Sequence, residues 1–152
     1  MTLESRIQEL FGCALNATRL NLEGRKLKTL PPEIGFLTAL ESLSLGNNRF
    51  KTLPPEIGKL TVLRYLHLED NELETLPPEI SKLTALEYLD LRGNELKILP
   101  HEISNLTALE YLYLKGNKLK TSQTPSLFAS IITDEDDEDF LLNSLREKQI
   151  NF

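Results

Sequence analysis

The stretch Leu63-Arg64-Tyr65-Leu66-His67-Leu68-Glu69-Asp70-Asn71-Glu72-Leu73-Glu74-Thr75-Leu76-Pro77-Pro78-Glu79-Ile80-Ser81-Lys82-Leu83-Thr84-Ala85 decides the fold, because its pattern returns at a fixed interval. Its leading leucine has counterparts at Leu40, Leu86 and Leu109, each 23 residues from the next. A period of this length marks an array in which every unit is one small supersecondary piece, unable to bury its apolar face alone and covered by its neighbours. Counting outward gives units at residues 17–39, 40–62, 63–85 and 86–108, and a fifth from residue 109 whose pattern dissolves after Leu119.

Inside each unit a Leu-x-Leu step stands at Leu43 and Leu45, Leu66 and Leu68, Leu89 and Leu91, and Leu112 and Leu114. A period of two places alternate side chains on opposite faces of a strand. The leucines therefore point into the core and the residue between them points out, onto a parallel sheet with one short strand per unit. Asn48, Asn71, Asn94 and Asn117 recur where the chain leaves that strand. A buried amide carries both donor and acceptor, so these asparagines read as a structural ladder for the otherwise unpaired backbone of the bend. The pairs Pro31-Pro32, Pro54-Pro55 and Pro77-Pro78, with Pro100, fix backbone angles and withhold amide donors. They predict short-turn or extended segments, not long helices, on the convex side. Glu33, Glu56, Glu79 and Glu102 follow them there and are expected to be solvated.

An array with open ends exposes an apolar cross-section, so covers are expected at both. Residues 1–16 place Leu3, Ile7, Leu10 and Phe11 on one helical face, which reads as an N-terminal helical cap. The first unit behind it is irregular, with Ala17 in place of the leading leucine and Arg25 in place of the asparagine. In residues 121–152, Thr124-Pro125 is a helix-start signal followed by the apolar stripe Leu127, Phe128, Ile131 and Ile132. A second helix begins within the acid run at residues 134–139 and carries Phe140, Leu141, Leu142 and Leu145, with Arg146 and Lys148 near the negative end of its dipole. The pattern predicts a C-terminal helical cap; the other reading of the acid run is a recognition tail.

The chain of 152 residues has the size of one domain, and 40% of it is hydrophobic. Its formal charge of −6 resides in the six acids of residues 134–139, which leaves 17 acids against 17 Lys and Arg. A neutral body excludes the concentrated positive field that nucleic acids or anionic membrane surfaces require, and no apolar run is long enough to span a bilayer. The single cysteine, Cys13, excludes an intramolecular disulfide or a Cys-rich zinc site and is expected to pack as a small hydrophobe. With no leader pattern in Met1-Thr2-Leu3-Glu4-Ser5-Arg6, the expected compartment is the cytoplasm. No cofactor is expected, and the chain is expected to be a monomer.

The motifs Leu-x-x-Leu-x-Leu-x-x-Asn-x-Leu and Leu-Pro-Pro-Glu-Ile-Gly-x-Leu, over residues 17 to 120, resemble the 23-residue Ras-group type of leucine-rich repeat, as in plant intracellular Ras-group proteins, the Scribble and Erbin scaffolds and bacterial repeat proteins. The resemblance implies an α/β solenoid: a right-handed horseshoe with short parallel strands on its concave face. It implies protein binding too, in some relatives to small GTPases. Some relatives carry an enzyme domain beside the repeats, for which the flanks here are too short.

Because the motif residues are the buried ones, specificity must reside in the outward columns. Before the first strand leucine the column reads Arg19, Ser42, Tyr65, Tyr88, Tyr111; between the leucines it reads Asn21, Ser44, His67, Asp90, Tyr113. All four tyrosines of the protein thus fall on the concave sheet, toward its C-terminal half. Tyrosine offers large apolar area with a polar tip and is enriched at binding hot spots, so the cluster is read as a contact patch for a partner protein. The plainer alternative is cross-strand stacking that only stiffens the sheet. Arg64, Glu69, Asp70, Arg92 and Lys115 flank it with mixed charge suited to orienting a partner.

Ser44, His67 and Asp90 share one column of three consecutive strands, about 4.8 Å apart by sheet spacing, in the order of nucleophile, base and orienting acid. An open sheet offers no evident oxyanion donors and no water-excluding pocket, which supply most of the catalysis, so His67 and Asp90 are read instead as a surface hydrogen-bonded pair. A metal site is not expected from these two either, since two ligands stand where three or four are needed. The remaining alternative is a scaffold repeat with no discrete partner.

Overall fold

Five three-residue strands stack in chain order into one parallel sheet: β1 Arg19–Asn21, β2 Ser42–Ser44, β3 Tyr65–His67, β4 Tyr88–Asp90 and β5 Tyr111–Tyr113. The computed structural model describes residues 2–119. Leu20, Leu43, Leu66, Leu89 and Leu112 pair in register across the sheet and point inward. Each of the first four strands is followed by a bend and, on the far side, by one short 3-10 helix: Pro32–Phe36, Pro55–Lys59, Pro78–Lys82 and His101–Asn105. The fixed φ of proline suits the start of such a helix and its missing N–H costs nothing there. Ile34, Ile57, Ile80 and Ile103 from these turns meet the strand leucines in one continuous core.

The asparagines form the predicted ladder, and each amide ties two units together. Asn48 Oδ1 accepts from the Leu27 N–H at 3.0 Å while Nδ2 donates to Leu22 O and Leu45 O, both at 2.9 Å. Asn71, Asn94 and Asn117 repeat this with Phe50, Leu73 and Leu96 as the donors. Immediately before the ladder runs a column in the left-handed region: Gly24, Asn47, Asp70, Gly93 and Gly116, with φ between 51° and 77°. Asn and Asp are the side-chain-bearing types that adopt this conformation most readily. Asp70, read from the sequence as a partner-facing charge, therefore also serves the turn. At Gly93, a Cβ would come within 2.3 Å of Asp70 Oδ1, at a φ of +64°. Gly93→Ala is expected to lower the unfolding free energy by about 1–2 kcal/mol, and Gly93→Asn by clearly less. Urea denaturation of the two variants measures the difference, and equal losses would show that left-handed geometry is not what this position selects.

At the N-terminal end, α1 (Leu3–Phe11) closes the array. Thr2 Oγ1 accepts from the Ser5 N–H at 3.2 Å, and Gly12, at φ 67°, ends the helix with its N–H on Gln8 O. Ile7 and Phe11 enter the same core as Leu20 and Leu22, and Leu10 packs partly against it, whereas Leu3 is exposed. Cys13 packs partly against this cluster, and burial pushes its thiol pKa up. The expected C-terminal cap, residues 121–152, lies outside the described residues. Among the described residues no helix is long and apolar enough to cross a membrane.

The convex glutamates differ from expectation. Glu33, Glu56, Glu79 and Glu102 are half-buried, not fully solvated. The turns stack so closely that the Glu56 and Glu79 stems lie over Gly35 and Gly58 of the preceding unit, each within 3.0 Å of where a Cβ would stand. Long charged side chains can bury the stem in this way while the head stays wet.

Candidate partner-binding surface on the concave sheet

The parallel register sets Tyr65, Tyr88 and Tyr111 side by side on β3, β4 and β5, and His67, Asp90 and Tyr113 two residues further along. Tyr88 is the hub of this patch. Its ring lies 4.9 Å from His67, 5.4 Å from Tyr113 and 6.2 Å from Tyr111, tilted in each case, as aromatic quadrupoles prefer. Tyr65 and Tyr111 remain 38% and 45% exposed, whereas Tyr88 and Tyr113 are half-buried within the cluster. The tyrosines thus divide into two that pack within the aromatic cluster and two that leave large area exposed.

Asp90 stands at an outward position yet is only 1% exposed, because its neighbours close over it. The guanidinium and backbone N–H of Arg92 both donate to its carboxylate, Nε at 3.0 Å from Oδ1, and the Tyr88 hydroxyl donates to Oδ2 at 3.4 Å. Among the buried polar side chains of the described residues it is the charged one; the others are Asn48, Asn71 and Asn94. Burial, with the Asp90 charge beside it, pushes the Tyr88 phenol up to about 12. Arg92 also stacks its guanidinium 5.1 Å from the centre of the Tyr113 ring. Glu69 lies on the same side of the sheet, its carboxyl pushed up chiefly by burial and to a lesser extent by the Asp90 charge.

This arrangement corrects the expected pairing of His67 with Asp90. Among the described residues no hydrogen bond joins His67 to Asp90 or to Ser44, although the three are in register. Arg92 and Tyr88 occupy Asp90, and His67 turns its Nδ1 toward Glu69 Oε2, 4.0 Å away. An acid committed to an arginine cannot orient an imidazole as a base. Ser44 is therefore in the right column with no relay behind it.

At the rim, Arg64 clamps Glu87 with Nε and Nη2 at 2.8 and 2.9 Å, which raises its own pKa further, and it lies 5.5 Å from the Tyr65 ring centre. Glu87 was not among the expected site residues. It stands one period after Arg64, so the opposite charge in that column was the available signal. Lys115 is exposed at the C-terminal edge of the patch.

The family described as a leucine-rich repeat region matches residues 55–131, and the one described as a leucine rich repeat matches residues 16–73. Among solved structures, a leucine-rich-repeat protein of Leptospira interrogans is 32% identical, with a TM-score of 0.58 over 84% of this chain and 37% of that one. The leucine-rich-repeat ectodomain of the receptor kinase SOBIR1 from Arabidopsis thaliana is 31% identical, with a TM-score of 0.64 over 74% of this chain and 62% of that one. The PEPR1-AtPEP1 structure matches at 32% identity and a TM-score of 0.61, covering 73% of this chain and 15% of that one. The chain thus spans less than two thirds of each of these proteins. No curated protein matches it.

Proposed function

Because the chain belongs to the leucine-rich repeat family, we propose that it is a non-enzymatic protein-binding module whose contact surface is the concave sheet of β3 to β5. Repeat solenoids offer extended concave surfaces, and that surface is where this chain departs from its own buried motif. The observation that carries the reading is the placement of Tyr65 and Tyr111, large, exposed and required by nothing in the core. Rigid aromatic area costs little conformational entropy on binding, so a pair of such anchors around the stacked Tyr88 and Tyr113 favours tight contact. Arg64, Glu69, Arg92 and Lys115 give the rim a mixed charge, which orients a partner and does not attract any one sign of charge. The absence of a relay from Asp90 to His67 favours binding over hydrolysis.

The test uses the two exposed tyrosines, since Tyr88 also holds Asp90 and its truncation would disturb the sheet. Wild-type chain captures a partner, and the affinity of that partner is then measured for Tyr65→Ala with Tyr111→Ala. A loss of at least about tenfold is expected, with an unchanged melting temperature. Substitution of convex Glu56 and Glu79 is expected to leave affinity unchanged. If the tyrosine pair can be removed without effect while the convex pair cannot, the contact surface is the proline-lined side instead.

A further inference from the structure

We propose that His67, Glu69 and Asp90 form a divalent-cation site on the concave face, for a borderline ion of the zinc or cobalt class, and that Arg92 competes with the ion for Asp90. The sequence offered His67 and Asp90 alone, one ligand short of a site. The fold supplies the third. Glu69 follows His67 by two residues and so lies on the same side of the sheet, and one ligand atom from each of the three falls within 4.8 Å of the others. An ion bound at roughly 2.1 Å holds its ligand atoms about 3.4 Å apart in a tetrahedral site, so small side-chain rotations close this cluster.

One feature marks the place as built. Glu69 Oε2 is buried with no hydrogen-bond partner, a costly state for a carboxylate oxygen and one that a metal bond relieves. Its carboxylate packs against Gly46 of the preceding unit, with Oε1 2.6 Å from where a Cβ would stand. Asp90 is already bound to a cation, since the Arg92 guanidinium holds both of its oxygens. The Arg92 side chain is 47% exposed and can withdraw to water when an ion takes its place. One imidazole nitrogen with two carboxylate oxygens suits zinc or cobalt, while calcium and magnesium ask for six or more oxygens. Three protein ligands also leave a coordination position open to water.

Titration of the full chain with Co2+, followed by visible absorption, and with Zn2+, followed by calorimetry, tests the site. Wild type is expected to bind one equivalent with a cobalt band that records a nitrogen ligand. His67→Ala and Glu69→Gln should each lose that equivalent, and His101→Ala should keep it. Arg92→Ala is the more telling variant. Without its counter-ion Asp90 is left unpaired, so the metal-free melting temperature should fall by several degrees, and Zn2+ should restore it with an affinity at least about threefold above wild type. A band that survives His67→Ala would place the ion on other carboxylates, such as those of residues 134–139, and would overturn the proposal. So would the absence of binding in both wild type and Arg92→Ala.

Discussion

Asn71→Ala is expected to lower the unfolding free energy by about 2–4 kcal/mol, and the adjacent exposed Glu72→Ala by less than about 0.5 kcal/mol. The asymmetry follows from what the amide leaves behind. Its Nδ2 donates to Leu45 O at 3.0 Å and Leu68 O at 3.1 Å, but each of those carbonyls keeps a second ladder partner, Asn48 for the first and Asn94 for the second. The Phe50 N–H has no such reserve: Asn71 Oδ1, at 3.1 Å, is its acceptor, and the bond is buried. Truncation therefore orphans one buried donor outright and thins the bonding of carbonyls in two units. Asn71→Asp keeps the acceptor but sets a carboxylate against carbonyl oxygens. Burial and those oxygens would raise its pKa, so that variant should be less stable at neutral pH than in mild acid. Equal urea midpoints for Asn71→Ala and Glu72→Ala would refute the ladder.

The sequence reveals the frame of this protein more readily than its surface, and the reason is physical. Leu66 and Asn71 recur because each unit must present the same inward shape to identical neighbours, so period alone identifies them and their partners across the sheet. Outward positions obey no such rule. The columns correctly place the tyrosines on the concave face, but not that Tyr88 would sink among His67, Tyr111 and Tyr113 while Tyr65 stays exposed. Asp90 shows the same limit. Its column says outward, and only the reach of Arg92 from two residues on, with the Tyr88 ring beside it, makes it a buried carboxylate that draws no hydrogen bond from His67. Glu69 was legible as a flanking charge; that its carboxylate would come within reach of both His67 and Asp90, on the next strand, was not. Such relations cross units at positions the repeat leaves free, so no period announces them.

Leu66→Ala should cost about 3–5 kcal/mol, and the same truncation at Leu20 nearer 2 kcal/mol. Both leucines hold the inward position of their strands, but Leu66 on β3 is fully buried between Leu43 and Leu89, whereas Leu20 on β1 has a strand on one side alone. The penalty for a cavity depends on how far its walls can move in. Around Leu66 those walls are two paired strands that cannot approach without breaking register. Leu20 has no strand beyond it, and at that end the core is completed by α1 through Ile7 and Phe11, a helix held by two buried side chains that can settle inward. Both variants should unfold in a single transition with an unchanged denaturant slope, because no unit buries enough apolar area to persist alone. A two-step transition for Leu66→Ala would show instead that the units on either side fold independently. Leu66 also stands between Tyr65 and His67, so the same experiment asks how firmly the concave face is held. If the truncated protein stays folded but loses partner affinity, the geometry of the patch, and not its composition alone, carries the binding.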